Sequence, residues 1–176
     1  MGIDAGMFSM KTAKDFYQKL QKDFERLREK PGDPHICFDF FVTAEHLPEW
    51  HCGALLGIRP NSSTEAELED LKKEAGKLRR SHPCLKMCSH LANNAKHFVA
   101  TTKRHDSVES TTTMNIVSLD LGTGTARTPQ TAFSIICGQD DAQALNLRDG
   151  QAISVIELGR RILDFWQDRL FPSQPE

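Results

Sequence analysis

Two stretches near the ends of the chain place apolar residues at steps of three and four, the period of an amphipathic helix. The first runs to about Lys30, and its apolar positions are Met10, Ala13, Phe16, Tyr17, Leu20, Phe24 and Leu27. The second has Val155, Leu158, Ile162, Phe165, Trp166 and Leu170. Helix start signals precede both, Thr12 with Asp15 and Ser154 with Glu157. The pattern predicts both helices, and the second should dock through its two neighbouring aromatic residues.

A central segment, HICFDFFVTAEHL at residues 35–47, is apolar around most of its circumference when drawn as a helix. Asp33 and Pro34 are typical of an N-cap and a first helical position, and Pro48 is expected to end or kink the helix near Trp50. Such a helix is central and buried on several sides. Its polar residues fall on one stripe, namely Asp39, Thr43 and His46. Because a buried carboxylate is costly unless it is paired, this stripe should face water or a polar partner.

Two further helices are predicted in the middle of the chain. One begins at the capping box of Thr64 and Glu67 and runs to about Arg80, and its thin apolar stripe places it on the outside. The other begins at Pro83 and covers residues 84–98. Its core side consists of Leu85, Cys88, Leu91, Ala92, Ala95 and Phe98. Its polar side consists of Lys86, His90, Asn93 or Asn94, and His97.

Between the fourth and the last helix the sequence pattern predicts little regular structure. Residues 100–114 are polar and β-branched without a helical period, so we expect a loop. Residues 116–121 and 132–137 are predicted as two short strands joined by LGTGTARTPQ. That connection lacks the Gly-Lys-Ser/Thr ending of a phosphate-binding loop. A hairpin of two strands is stable only when it packs on something, here on the helices.

The predicted fold class is mainly α, within α+β. We expect a bundle of about five helices with a small β-hairpin inserted before the C-terminal helix. A chain of 176 residues forms one domain, so residues 1–176 are taken as a single helical domain. Flexible segments are expected at residues 1–8, 100–114 and 172–176.

Composition narrows the class of protein. The net charge of −2 and the pI near 6.4 do not indicate nucleic-acid binding by charge alone. No apolar run approaches the ~20 residues that span a bilayer, and the N-terminus lacks the pattern of a secretory signal. An odd number of cysteines without a signal favours reduced thiols and a soluble, cytoplasmic protein. The five cysteines are Cys37, Cys52, Cys84, Cys88 and Cys137.

Three blocks of sequence resemble motifs that are shared by a group of small uncharacterised bacterial proteins. They are FDFFVTAEHLPEW (38–50), CSHLANNAKHF (88–98) and IELGRRILDFW (156–166). The resemblance covers most of the helical part and is weak over the strands. It implies a bacterial protein and indicates no activity.

The run Asn93-Asn94-Ala95-Lys96-His97 carries a looser resemblance, to the HEPN superfamily of helical bundles. Many members of that superfamily are ribonucleases in which an Arg, often followed by Asn, precedes a His by a few residues. Asn93 stands where Arg is expected, and Asn cannot supply the charge with which a guanidinium stabilises a phosphate transition state. The resemblance implies a HEPN-like bundle more than it implies catalysis. A ribonuclease of this kind would use His97 with Asn94, helped by Lys96 and His90, with paired sites across a dimer.

Two interpretations of the polar side of the fourth helix stay open. His90, Asn94 and His97 could form a face for proton transfer or phosphate binding, since histidine titrates near neutral pH. Alternatively they belong to a structural polar seam, bonded across a helix pair to the stripe of Asp39, Thr43 and His46, with Asn93 beside them. We favour the seam, because buried polar groups need partners whether or not they act.

No metal or cofactor is expected. The fourth helix offers Cys84 and Cys88 together with two histidines, but these ligands point two ways and do not form a tetrahedral site. The expected function is a non-enzymatic protein-interaction or regulatory module that dimerises or binds a protein partner through a helix face, with no membrane role. The alternative is a metal-independent, HEPN-like ribonuclease with RNA as its partner.

Overall fold

A computed structural model describes residues 10–58, 63–96, 108–116, 119–120, 125–126, 130–137, 143, 145, 147 and 152–172. Of the predicted flexible segments 1–8, 100–114 and 172–176, residues 1–8, 100–107 and 173–176 lie outside the described residues. Over the described residues the fold is mostly helical, with five helices and a small three-stranded antiparallel sheet before the C-terminal helix. The predicted fold class is therefore confirmed, and the sheet has one strand more than the predicted hairpin.

The helices begin where the start signals predict. They are α1 (Ala13–Glu29), α2 (Pro34–Leu55), α3 (Glu65–Ser81), α4 (Pro83–Lys96) and α5 (Val155–Leu170). Thr12 and Thr64 each form a complete capping box with the acidic residue three positions on. Asp33 caps α2 with Pro34 in the first turn, and the Ser154 hydroxyl caps α5 by accepting the Glu157 N–H at 3.1 Å. Side-chain caps thus satisfy N–H groups in the first turn of these four helices.

Of the two effects predicted for Pro48, an end or a kink of α2, the end is wrong, because the helix runs through Pro48 to Leu55. An internal proline costs roughly 3 kcal/mol, but α2 packs against all four other helices, and that packing outweighs the lost hydrogen bond. The stop signal is Gly57, two residues after the last helical residue, and it has φ +68°. There the Ile58 N–H donates to Gly53 O at 3.0 Å and the Gly57 N–H to Ala54 O at 3.3 Å. This pair of bonds is the Schellman motif, for which glycine is the favoured residue.

Of the two predicted strands, the one at residues 132–137 lies within an observed strand, and the one at residues 116–121 differs from the structure. The observed strands are β1 (Val108–Ile116), β2 (Leu119–Asp120), β3 (Thr125–Ala126), β4 (Gln130–Cys137) and β5 (Ala152–Ser154). One antiparallel sheet has the order β1-β4-β5, and β2 pairs with β3. Residues 108–114 are therefore strand rather than loop, and Ile116 ends a strand rather than beginning one. The run of threonines has high β propensity, and on an edge strand its side chains can face water, so apolar alternation is absent.

The core lies between α1, α2, α4 and α5, with the sheet covering one end. Its largest fully buried side chains include Leu20, Leu27, Phe40, Leu47, Leu85, Met87, Leu158, Ile162 and Trp166. The sheet contributes Ile135 and Ile153 to the same cluster. It is tied to the turn between α1 and α2, because the Phe133 N–H donates to Pro31 O at 3.1 Å. Among the helices the structure describes, none combines the length and apolar character needed to cross a membrane.

Candidate functional site

Two residues of the polar stripe of α2, Asp39 and Thr43, contact α1. The Thr43 side chain is buried, and its Oγ1 accepts a hydrogen bond from Lys19 Nζ at 2.7 Å. The same oxygen lies 2.7 Å from Asp23 Oδ2 and 2.9 Å from Asp39 O, and its single proton can be donated to only one of them. Asp23 is itself 5% exposed and pairs with Lys19 one turn earlier. Thr43 therefore links the two helices through a buried carboxylate.

Arg26 completes this arrangement, which we name the α1–α2 polar cluster (Lys19, Asp23, Arg26, Asp39 and Thr43). Its Nη1 lies 3.2 Å from Asp39 Oδ2 and 3.6 Å from Asp23 Oδ1. The Asp39 side chain is half-exposed, so it meets both water and a cation, as the cost of carboxylate burial predicts. Asp39 and Thr43 therefore have their partners on α1, whereas the polar seam was expected to pair them with α4.

His90 has a structural contact on the sheet side of α4. It is 4% exposed, and its Nδ1 accepts the N–H of Val108, the first residue of β1, at 3.3 Å. Asn93, one turn later, donates from Nδ2 to Ser89 Oγ at 3.4 Å. His46 is half-buried on α2. His90 thus joins α4 to the start of the sheet.

The other predicted site residues lie beyond what the structure describes. The side chains of Asn94 and Lys96 and the whole of His97 are outside the described residues. The ribonuclease face and the far half of the polar seam therefore stay predictions.

A second charged cluster, which the sequence reasoning missed, joins three helices. Glu45 on α2 is 8% exposed, and its Oε1 lies 2.8 Å from Arg79 Nε on α3. Arg79 Nη2 donates to Glu45 O at 3.0 Å and to Glu49 Oε1 at 2.9 Å. Ser89 Oγ on α4 donates to Glu45 Oε1 at 3.3 Å. The available signal was the spacing of Glu45 and Glu49, which puts two carboxylates on one face of an apolar helix.

The cysteines with described side chains behave as buried apolar residues. Cys37, Cys52, Cys84 and Cys88 are buried thiols that form no disulfide with one another. Burial raises the pKa of Cys37 to about 11, with the charge of Asp33 adding to it, and burial likewise raises the pKa of Cys84 to about 11. Both thiols are therefore protonated at neutral pH and are poor nucleophiles. Within the described part of the chain, no group of three or more potential ligands is placed to hold a metal ion.

Two histidines contact the C-terminal half of α5. Arg169 Nε donates to His51 Nε2 at 2.9 Å, which requires that nitrogen to be unprotonated. Burial, and then the charge of Arg169, lower the pKa of His51. The His82 ring lies 4.7 Å from the Phe165 ring between centroids, and burial lowers the pKa of His82. These contacts favour two neutral histidines against α5.

The most exposed apolar residues lie at one end of the α2–α3 pair. A methyl group on Gly53 would lie 3.8 Å from Leu71 Cδ1, while Arg79 reaches Glu49, so the two helices are antiparallel. The end of α2 and the beginning of α3 are therefore together. Leu55 is 71% exposed, Leu56 45% and Leu68 41%, and we name these three the leucine surface.

A groove of about 390 Å³ opens beside this surface. Leu55 and Leu56 form one end of it, and Cys52 and Leu78 contribute further apolar lining. Its charged lining residues are Glu74, Lys77 and Arg169. An apolar floor with a charged border has the anatomy of a protein-binding surface rather than of a catalytic pocket.

No family model, curated protein sequence or solved structure matches the chain. The bacterial group and the HEPN superfamily therefore stay predictions from the sequence.

Proposed function

We propose that this protein is a non-enzymatic protein-interaction module that binds its partner through the leucine surface. The observation that carries the proposal is the 71% exposure of Leu55 beside two further exposed leucines. Burying a leucine side chain contributes roughly 1.5–3 kcal/mol relative to leaving it in water. Leu55 would gain most of this amount on association, and Leu56 and Leu68 less, because these two side chains are already more than half buried.

The groove beside the leucine surface offers a concave site for a partner. Leu78 and Cys52 are buried on its floor, and Lys77 and Glu74 at its border form an ion pair of 2.6 Å. Energetic hot spots of interfaces are apolar anchors seated in pockets and surrounded by polar residues. A partner that offers an apolar helix face could fill this groove and cover Leu55 and Leu56.

The candidate catalytic groups favour the same interpretation. His90 is occupied by a backbone N–H of β1, and the thiols of Cys37 and Cys84 are protonated at neutral pH. Asp39 and Thr43 bind α1. These groups have structural partners, which is what a scaffold for binding requires.

The test is a comparison of partner capture by the wild type and by a Leu55→Ser, Leu56→Ser double variant. The proposal expects proteins cross-linked to the wild type in its native extract, or a second copy in the purified sample, to be lost from the double variant. Ala54→Ser is the matched control, since this exposed residue lies on the same turn of α2. Unchanged cross-linking in the double variant would contradict the proposal.

The enzymatic alternative makes a different prediction. A HEPN-like ribonuclease would cleave RNA as a purified protein, and His97→Ala would abolish the cleavage with the fold intact. We expect no cleavage by the wild type. The control variant is His35→Ala, at an exposed position near the start of α2. Cleavage that survives His35→Ala and disappears in His97→Ala would overturn the proposed function.

A further inference from the structure

We infer that the contact between His51 and Arg169 is pH-sensitive and controls the groove beside the leucine surface. While His51 is neutral, Arg169 separates the groove from a second cavity, and protonation of His51 releases Arg169 and joins the two. The inference deepens the proposed function, since it rests on the groove as the binding site and names its regulation. It is carried by the position of Arg169 and by the bond that holds it there.

Arg169 lies between two cavities. One is the groove of about 390 Å³, and the other, of about 650 Å³, is formed by α5 and by the turn between α3 and α4. Among the residues with described positions that line them, Arg169 is the one the two cavities share. Ser81 lines the groove and the next residue, His82, lines the larger cavity. The two spaces are therefore adjacent, and the Arg169 side chain lies at their boundary.

A hydrogen bond to α2 holds Arg169 in this position. Its Nε donates to His51 Nε2 at 2.9 Å, and its guanidinium carbon lies over the Phe165 ring, 5.8 Å from the centroid. The His51 nitrogen can accept this bond only when it carries no proton of its own. A neutral His51 is therefore the condition under which Arg169 keeps the cavities apart.

Protonation of His51 replaces this bond by a repulsion. Both side chains then carry positive charge, and neither offers the other an acceptor. Arg169 is exposed and lies in the last turn of α5, where unpaired carbonyl groups and the helix dipole attract a cation. It can therefore turn away at little cost, whereas the half-buried His51 packs against the Trp166 ring, 5.6 Å away between centroids.

The charges around His51 permit this exchange. The pKa of the neighbouring Cys52 thiol is raised by burial and also responds to two positive and two negative charges of described residues. A protonated His51 supplies the positive charge that Arg169 withdraws, so the balance is kept. At the same end of the bundle, Lys14 of α1 lies over the Phe171 ring, 4.6 Å from its centroid. The four charged residues are Arg169 on α5, Glu49 on α2, and Glu74 and Arg79 on α3.

The exchange is expected below neutral pH. Burial, and then the charge of Arg169, lower the pKa of His51 from the ordinary value of 6.5. Burial also lowers the pKa of His82, but this histidine contacts the Phe165 ring and lines the larger cavity rather than the groove. His51 is therefore the group through which a proton acts on Arg169.

Release of Arg169 uncovers apolar surface. The guanidinium lies over the Phe165 ring, and its departure adds that ring to the apolar lining that Cys52 and Leu78 give the groove. The joined site is larger and more apolar than the groove alone. A partner with an apolar segment should therefore bind more tightly in acid, because apolar anchors in pockets carry most of the binding energy of interfaces.

The first experiment measures how tightly the purified protein binds Nile red, a neutral dye whose fluorescence rises in apolar surroundings. At about pH 7.5, where an ordinary histidine is neutral, Arg169→Ala should bind the dye several-fold more tightly than the wild type. Adding Leu55→Ser and Leu56→Ser should reduce this gain, since both leucines line the groove. Arg160→Ala is the matched control, because this exposed arginine of α5 lines neither cavity. Equal affinity in wild type and Arg169→Ala would overturn the inference, and so would a gain that the leucine substitutions leave unchanged.

The second experiment repeats the measurement at about pH 5, where an ordinary histidine is protonated. The wild type should now bind the dye several-fold more tightly, whereas His51→Gln, which keeps an acceptor for Arg169 but does not titrate, should bind it equally at both pH values. His35→Gln should respond as the wild type does. An affinity of the wild type that is independent of pH, or a rise that persists in His51→Gln, would overturn His51 as the sensor.

Near-ultraviolet circular dichroism of the same samples shows whether the packing around Trp50 and Trp166 is intact, since a molten acid state also binds apolar dyes. If that packing is lost at the lower pH, the comparison of Arg169→Ala with the wild type decides the matter without acid. The two proposals fail separately. If Arg169→Ala binds the dye as the wild type does, while the Leu55→Ser, Leu56→Ser variant loses its cross-linked proteins, the regulation is wrong and the proposed function stands.

Discussion

The α1–α5 side and the α2–α3 end of this bundle are both formed by packed helices, yet their apolar residues are covered only on the α1–α5 side. On the first side Leu20, Leu27, Ile162 and Trp166 have no exposed surface, and Tyr17 closes the edge by donating to Gln167 Oε1 at 3.1 Å. At the other end three leucines are 41–71% exposed. The sequence pattern of a helix thus indicates which face is apolar. Whether that face is buried in the core or exposed depends on the helices and strands that pack beside it.

The buried glycine of α5 sharpens this difference. A Cβ on Gly159 would lie 2.8 Å from Phe24 Cε2 and 3.2 Å from Phe40 Cζ, so α5 approaches α1 and α2 as closely as its backbone allows. On α3 a Cβ on Gly76 would meet only the flexible end of Arg80, at 3.3 Å. Packing is therefore tight on one side and permissive on the other.

The largest effect is expected from truncation within the covered side. Leu20→Ala should lower the free energy of unfolding by about 2–5 kcal/mol, because it removes a fully buried side chain and leaves a cavity. Leu68→Ala, the same change on the open side, should cost less than about 1 kcal/mol. Urea unfolding monitored by circular dichroism measures both, and equal costs would remove the distinction.

The two glycines should respond with opposite signs. Gly159→Ala should destabilise by roughly 1–3 kcal/mol, because the aromatic rings of Phe24 and Phe40 must move. Gly76→Ala should stabilise by about 0.5–1 kcal/mol, since alanine favours the helix and Arg80 can turn away. Thermal unfolding of the two variants gives the comparison, and destabilisation by Gly76→Ala would show that the α3 side is also tightly packed.

Acid should loosen the contacts that His51 and His82 make with α5. The pKa of His51 and of His82 is lower in the folded protein than the ordinary value of 6.5. The unfolded chain therefore binds more protons in that range, and stability is lost as the pH falls below about 6.5 towards the lowered values.

A substitution of His51, which accepts a hydrogen bond from Arg169, tests this pH dependence. His51→Gln keeps a side-chain acceptor for the Arg169 N–H but does not titrate, so we expect a flatter profile of unfolding free energy against pH. His35→Gln, at an exposed site, should leave the profile unchanged. A steep profile that survives His51→Gln would exclude this histidine as the cause.

The smallest effect on the free energy of unfolding is expected at the leucine surface, where we expect the largest effect on binding. Leu55→Ser with Leu56→Ser should change the free energy of unfolding of the monomer by less than about 0.5 kcal/mol, because both side chains already meet water. Unfolding at a protein concentration too low for association measures this. A loss of several kcal/mol would mean that these leucines belong to the core.

How much of this was predictable depends on where each signal lies in the sequence. The helix starts were predictable because a cap and its partner lie three residues apart, as at Thr12 and Thr64. The end of α2 was not, because the stop at Gly57 acts through backbone geometry, whereas Pro48 is tolerated by packing that no local pattern reveals.

The partners of polar residues were still less predictable. Asp23 is buried because Thr43, twenty residues later, contacts it there, and no local pattern around Asp23 indicates this partner. Strand β1 was not predicted for a similar reason. Its polar residues form a strand because their backbone pairs with β4, which lies later in the chain. Pairings between distant elements decide such cases.

The carbonyl of Pro31 has a consequence for the order in which the fold is assembled. It accepts the N–H of Phe133 at 3.1 Å and lies 3.7 Å from Cys37 Sγ, at the turn that joins α1 to α2. Contacts between neighbouring helices close short loops, whereas the bond to Phe133 closes a long one and forms more slowly. The bond between β4 and this turn therefore cannot form until the turn between α1 and α2 is in place. We expect the helices to collapse first and β4 to attach afterwards.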